Sequence, residues 1–318
     1  MAHERPGADP SNLWGNARGG SGVSVAGLRA DSPPLDTIGA TDAVTVSDVS
    51  HIYAAPSGSS APVRAIADVS LRAARGELVA VVGPSGCGKT TLLELICGLQ
   101  RPSRGTVSGE PAALMPQHDL LLPWLSAVDN AALALRIARH PRGRARAQAA
   151  ALFAELGLEG FETARPHELS GGMRQRVAFV RTLLSGKPVL CLDEPFGALD
   201  AITRAEMQGW LARALQREPR TVVLVTHDVE EAILLADRVA VLSLRPGRTV
   251  AELEIGLPRP RARTDAAVSA LREQALIALG LGAARDDAPR DAPSPAASVA
   301  GPGRRRHAAE QGEGPWPR

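Results

Sequence analysis

Gly83-Pro84-Ser85-Gly86-Cys87-Gly88-Lys89-Thr90 is the stretch whose reading decides the fold. It fills every fixed position of the phosphate-loop pattern G-x-x-x-x-G-K-[ST]. Before it, Glu77-Leu78-Val79-Ala80-Val81-Val82 is a short apolar run ended by a glycine, which reads as a buried strand. After it, Thr91 to Cys97 reads as a buried helix. Strand, glycine-rich loop and helix start therefore follow in order. Gly83, Gly86 and Gly88 leave the loop backbone free to aim successive N–H groups inward as an anion nest. The helix start adds unsatisfied donors and partial positive charge. In such a loop Lys89 reaches the β- and γ-phosphates of a bound nucleotide, and the Thr90 hydroxyl ligates Mg²⁺.

Outside the loop, bulk properties mainly exclude. The 318 residues are 44% hydrophobic but only 3% aromatic, so the core is built from Val, Leu, Ile and Ala. A formal net charge of +2 is too balanced to argue for nucleic acid or an anionic membrane surface. The three cysteines, Cys87, Cys97 and Cys191, show no paired spacing and read as small apolar fillers in a reducing compartment. No run of 18 apolar residues is present, and Met1 to Ala40 has no apolar segment of the secretory type. Any membrane role is therefore expected to come through a partner.

Residues 1–41 are rich in Gly, Ser, Pro and Ala without periodicity and are expected to be disordered, as is the tail 283–318. One domain is expected over 42–282. Ala43 to Tyr53 and Val63 to Ala73 read as strands. Tyr53 at the first strand's end is either an adenine-stacking ring or simply a strand-end aromatic. Arg101 to Gly109 reads as a turn-rich link and Ala112 to Met115 as a short strand. Leu121-Leu122-Pro123-Trp124 is unusually apolar for a loop: either it faces the core or it docks another protein. Ala127 to Arg139 and Arg144 to Leu156 read as two helices. The arginines at 136, 139, 142, 144 and 146 read as a solvated helical face, with no interleaved aromatics to favour nucleic acid.

Further along, Ser170-Gly171-Gly172 opens a helix that runs to about Leu184, with Ser170 as its N-cap and a second anion-attracting helix start behind it. Val189-Leu190-Cys191-Leu192-Asp193-Glu194 is an apolar strand ending in two carboxylates. An Asp there suits Mg²⁺ coordination, and the neighbouring Glu194 can polarise water. Asp200 precedes a helix over about 202–217. Thr221 to Thr226 is another buried strand, and His227 follows it either as a ligand contact at the strand's edge or as the lead-in to the next helix. Late strands at 238–244 and 249–255 and a closing helix at 264–281 complete the pattern. Alternating strands and helices with apolar strands imply an α/β fold with a largely parallel sheet.

Taken together and in order, the phosphate loop, Gln117, Leu169 to Gln175, Val189 to Glu194, Ala198-Leu199-Asp200 and His227 resemble the ATP-binding subunit of an ABC transporter. Leu121 to Trp124, Leu169 to Arg176, Asp193 to Asp200 and Thr226 to Ala232 resemble the nitrate, sulfonate and taurine importer group, and thiamine-precursor pyrimidine importers share that pattern. That resemblance implies an ABC-type P-loop ATPase domain with a small antiparallel β subdomain and a helical subdomain at about 118–185. By the same resemblance, ATP and Mg²⁺ are bound by Tyr53, residues 83–90 and Thr91 of one copy, facing Ser170, Gly171, Gly172 and Asp200 of a second. Glu194 is implied as general base, His227 as γ-phosphate contact, Gln117 as contact to water and metal, and Thr90, Gln117 and Asp193 as the metal set. Implied partners are permease subunits docking near Gln117 to Trp124 at the cytoplasmic face of the membrane and, indirectly, an extracytoplasmic solute-binding protein. No nucleic acid is expected. The interval from Lys89 to Gln117 is shorter than in most of the family, which implies trimmed strands there. A soluble ABC ATPase acting on ribosomes or DNA is the rival reading. Against it stand a single cassette and the lack of sustained heptads.

Overall fold

The computed structural model describes residues 42–55, 61–217 and 219–281, all within one unit that ends at Gly282. The segments 1–41 and 283–318, expected to be disordered, and Arg304-Arg305-Arg306 lie outside the described residues. In chain order the first part comprises β1 (Asp42–Tyr53), β2 (Val63–Ala74), β3 (Leu78–Val82), α1 (Lys89–Ile96), β4 (Arg104–Gly109) and β5 (Ala112–Met115). The helical stretch follows: α2 (Ala127–Ala131), α3 (Leu133–Ile137), α4 (Arg142–Glu155) and α5 (Gly171–Leu183). Then come β6 (Val189–Asp193), α6 (Ala201–Arg217), β7 (Thr221–Thr226), α7 (Val229–Leu235), β8 (Arg238–Leu242), β9 (Thr249–Glu254) and α8 (Ala266–Ala278).

A six-stranded sheet in the order β5-β6-β7-β3-β8-β9 carries the site. Its first five strands are parallel, and β9 closes one edge antiparallel to β8. Every residue of β3, β6 and β7 is buried, which is why those segments read as unbroken apolar runs. Their residues alternate between two cores. Leu78, Ala80 and Val82 pack toward the helices, while Val79 and Val81 pack toward α1 and the second sheet. The second sheet is antiparallel, in the order β2-β1-β4. α1 is therefore clasped between the two sheets, and the loop that starts it sits at the carboxyl edge of the parallel strands. Ligands bind at that edge in open α/β sheets.

Two expectations need correction. The turn-rich link at 101–109 contains β4, which pairs with β1 from Val44–Gly109 to Ser50–Arg104. Composition concealed it because β4 is an edge strand with no fully buried residue, so alternation is weak. At Gly105 (φ 82°) an added Cβ would lie 2.4 Å from the Asp48 carbonyl oxygen, so the approach of the two strands requires the glycine. The short interval from Lys89 to Gln117 thus still gives one strand to each sheet. The single helix expected at 127–139 is two. Its backbone hydrogen bonds carry on through Ala132, but ψ there is −4°, so the axis breaks. The first piece buries Ala127, Val128, Asn130 and Ala131, whereas the second buries none of its residues.

Candidate functional site

Gly88 makes the phosphate loop possible. It holds φ at 105°, and a Cβ there would fall 2.4 Å from the Ile66 side chain and 2.8 Å from the Ala65 carbonyl. The α1 helix that follows has no side-chain cap, so its first N–H groups are left for an anion. Lys89 is buried, and its ammonium donates to the carbonyls of Gly83 (2.7 Å) and Pro84 (3.0 Å). The cation is thereby folded onto its own loop, where phosphate oxygens can compete for it. Cys87 is buried under the loop, with burial raising its thiol pKa, and acts as the filler the sequence suggested. The other two cysteines form no disulfide; Cys191 is buried, Cys97 is half-buried, and their side chains hydrogen-bond to each other.

A cleft of about 280 Å³ opens over the loop. Ser85, Gly86, Gly88, Lys89, Thr90, Thr91, Tyr53, Gln117, Asp193 and Glu194 line it, so most of the residues singled out from sequence meet in one place. Tyr53 stands at its mouth. The hydroxyl lies 3.0 Å from Thr91 Oγ1 and accepts from Gln100 Nε2 (3.1 Å), and the ring meets His51 edge to face at 4.7 Å.

Opposite, β6 delivers the two carboxylates. Asp193 is buried and accepts the Thr90 hydroxyl at 2.7 Å. Burial raises its pKa, opposed by that hydrogen bond. Glu194 takes a left-handed backbone (φ 46°), rare for a non-glycine, which turns its side chain away from the strand line. The strain is held from both sides. The Glu194 N–H donates to Val225 O (2.8 Å), and its carbonyl accepts from Gln175 Nε2 (3.0 Å). The carboxylate then receives Gln117 Nε2 on one oxygen (3.1 Å) and faces His227 Nδ1 from the other (3.1 Å). Gln117 follows β5, Glu194 follows β6 and His227 follows β7, so three adjacent strand ends bring the three together.

The remaining predicted residues lie elsewhere in the chain. Ser170 caps α5 by accepting from Met173 N (3.2 Å), and Gly171 and Gly172 form that helix's first turn. Asp200 caps α6, accepting from the Thr203 and Ile202 N–H groups, and these hydrogen bonds hold its carboxyl below the usual range. None of the four lines the cleft. Two contributors were not foreseen. Gln175 bridges Glu194 to Ala198, whose N–H it accepts at 2.9 Å; it was quoted within the serine-glycine-glycine segment without a role of its own. Arg245 lines the cleft from the loop after β8, where an Arg-Pro-Gly turn was the available signal.

Leu120 and Trp124 are both strongly exposed in the loop after Gln117, while Leu121 packs inward. Asn130 and α5 fix that loop. Asn130 accepts from Leu122 N and donates to the carbonyls of Leu122, Leu125 and Ser126. Arg174 pairs with Asp119 at 3.0 Å, and Arg181 donates to the Asp119 and Leu120 carbonyls.

With this geometry in place, comparison with known proteins is direct. The ABC transporter family model matches residues 66–197. The aliphatic sulfonates import ATP-binding protein SsuB 1 of Rhodococcus jostii (strain RHA1) is 49% identical over 219 residues, covering 67% of this chain and 86% of that protein. The formylaminopyrimidine import ATP-binding protein ThiZ of Halalkalibacterium halodurans is 41% identical over 215 residues, covering 67% and 84%. Among solved structures, the dimeric post-hydrolysis state of the ATP-binding cassette MJ0796 bound to ADP and Pi is 28% identical, with a TM-score of 0.62 over 68% of this chain and all of that one. A complete phosphate loop, a carboxylate pair at the neighbouring strand end and this degree of likeness lead to one conclusion: the chain belongs to the ABC transporter family, as an ATP-binding cassette ATPase.

Proposed function

We propose that this cassette, at residues 42–282, energises an importer of small solutes, with aliphatic sulfonates first among them and nitrate, taurine or a thiamine-precursor pyrimidine as related cargo. The relatives named for sulfonate and formylaminopyrimidine import support that reading over a soluble role on ribosomes or DNA. No helix of the described residues is long and apolar enough to cross a membrane. By the likeness to those import ATP-binding proteins, the cassette works at the cytoplasmic face through permease subunits, which dock on the exposed Leu120 and Trp124. A solute-binding protein outside the cell presents the cargo.

The observation that carries the chemistry is the convergence of Gln117 and His227 on the two oxygens of Glu194. In the proposed turnover the nucleotide's phosphates lie along the α1 N-terminus, and Lys89 exchanges its two loop carbonyls for phosphate oxygens. The pair Thr90 and Asp193 fits Mg²⁺: two adjacent oxygen donors in a recessed wall suffice for an ion that keeps waters and phosphate oxygens as its other ligands. Bound there, the ion would neutralise charge on the β- and γ-phosphates. Glu194 accepts the proton of the attacking water, Gln117 orients that water, and His227 contacts the γ-phosphate. Phosphoryl transfer asks mainly for positioning and charge neutralisation, which these side chains provide.

Glu194→Gln tests the assignment. The amide keeps the side chain's size but removes the base. Steady-state hydrolysis should fall by roughly 10²–10⁴-fold, while affinity for a fluorescent ATP analogue stays within about twofold. Unimpaired hydrolysis would overturn the role given to Glu194.

A further inference from the structure

The loop after β8 has no part in the chemistry above, yet it is built into the phosphate site. Gly247 donates to Ala65 O and accepts from Ala67 N, both at 2.9 Å, which ties the loop to β2. A Cβ on Gly247 would come 2.1 Å from the Cys87 carbonyl oxygen, so this backbone rests directly on the phosphate loop. Ser243 closes the loop on itself: its N–H donates to Arg248 O (2.9 Å) and its hydroxyl accepts from Arg248 N (3.1 Å). The held segment presents Arg245 to the nucleotide cleft. Among the described residues nothing forms a hydrogen bond or ion pair with the Arg245 side chain, whereas Arg238 and Arg248 on either side of it in sequence are both paired. An exposed arginine with no hydrogen-bond or ion-pair partner among the described residues, on a loop tied down by backbone hydrogen bonds at the rim of an anion site, has a ligand as its natural counter-charge.

Sheet order says which part of the ligand it meets. β3, which leads into the phosphate loop, has β7 and then β6 on one side and β8 on the other. Asp193, Glu194 and His227 belong to the β6–β7 flank, the flank of hydrolysis. Arg245 belongs to the β8 flank, where Ala65 of β2 and Tyr53 of β1 also line the cleft. A nucleotide laid across the loop with its γ-phosphate toward Glu194 turns its nucleoside end toward Arg245.

We propose that Arg245 is a nucleotide-positioning residue that contacts the nucleoside and α-phosphate end of ATP and ADP and takes no part in cleavage. The proposal rests on the reading of the cleft as the ATP site. Its signature is a split between binding and turnover. Arg245→Ala should weaken a fluorescent ATP analogue and the corresponding ADP analogue by the same factor, roughly tenfold for one charge-assisted contact at an exposed rim. KM for ATP should rise by that factor with kcat unchanged. Arg245→Lys should restore most of the affinity, and the thermal midpoint of both variants should match the parent. Affinities within twofold of the parent for both nucleotides would overturn the proposal, as would a loss confined to ATP or a fall in kcat. Lys89→Ala serves as the control for the site itself. If Lys89→Ala abolishes binding while Arg245→Ala does not change it, the cleft stands and the role of Arg245 falls. If Lys89→Ala binds normally, the reading of the cleft falls with it.

Discussion

Glu231 shows how one side chain can make the cassette sensitive to pH. It lies on the inner face of α7, only 5% exposed, and its pKa is pushed up to about 8 from an ordinary 4.5. Burial is the main cause, the Asp228 charge adds to it, and Arg204 partly offsets it. The sign follows from proton counts. Between pH 4.5 and about 8 the unfolded chain has lost this proton and the folded chain keeps it, so stability falls as pH rises through that window and levels off above it. Glu231→Gln removes the titration and keeps the shape. Its melting temperature should draw ahead of the parent's as pH rises from 5 to 8, by on the order of 5 °C at the top of the range, and no further beyond. Melting curves at four pH values decide this; a constant offset would remove Glu231 as the cause. At this same scale the sequence exposed most of the site. Lys89 and Thr90 open α1, and Asp193, Glu194 and His227 stand at strand ends, positions whose chemistry is readable from residue type. Gln175 was not readable, because its role depends on a fold that brings α5 beneath the Glu194 turn. The left-handed backbone of Glu194 was equally hidden, since nothing in Asp193-Glu194-Pro195 demands it.

α5 is the element that joins the two halves of the cassette. Gln175 holds the Glu194 backbone, while its neighbour Arg174 and, further along, Arg181 hold the Gln117-to-Trp124 loop. α2 holds the same loop and the residues that follow it through Asn130, which is fully buried and makes two hydrogen bonds to Leu122 and one each to Leu125 and Ser126. Asn130→Ala should leave several of those backbone groups without partners and cost about 2–4 kcal/mol of stability. Because the cleft does not include Asn130, basal ATP hydrolysis by the chain alone should change less than threefold. Co-purification with a permease from detergent-solubilised membranes should be lost. Retained co-purification would place the docking surface elsewhere. Legibility at this scale followed burial. β3, β6 and β7 are buried at every position, so their apolar runs could be read directly. β4 is an edge strand without enough buried face to print a period on the sequence, and it was missed; α3 was read as helix, but the break at Ala132 that separates it from α2 was not legible. The loop carrying Arg245 gave only its Arg-Pro-Gly turn, since its purpose lies in backbone contact with Cys87, far away in the chain.

For the whole molecule, the cleft and the serine-glycine-glycine segment are separate surfaces of the same chain. Ser170 and Gly171 are exposed at the start of α5, and neither touches the nucleotide cleft of their own copy. A helix start with free donors, left outside the only phosphate site identified among the described residues, is explained if it completes the site of a second copy. Cyclic two-fold pairing of that kind gives two composite sites per dimer, each with one phosphate loop and one serine-glycine-glycine turn. The likeness to a solved cassette that is dimeric supports the arrangement. Gly171 permits a clean test. An added Cβ there meets only Arg174 Nη2, at 3.8 Å, and φ is not in the positive region, so the chain itself tolerates a side chain at this position. Gly172 is tighter, with Leu199 Cδ2 at 3.1 Å, so Gly171 is the cleaner position to change. Gly171→Arg should therefore melt within about 2 °C of the parent and bind a fluorescent ATP analogue equally well. In the Glu194→Gln background with ATP, the parent interface should give a species of twice the 33.2 kDa chain mass by light scattering. The added arginine should hold the protein at monomer mass, and in the wild-type background it should cut hydrolysis at least tenfold. Full hydrolysis by a monomeric Gly171→Arg protein would mean that one chain holds a complete site, and the paired-site reading would fail.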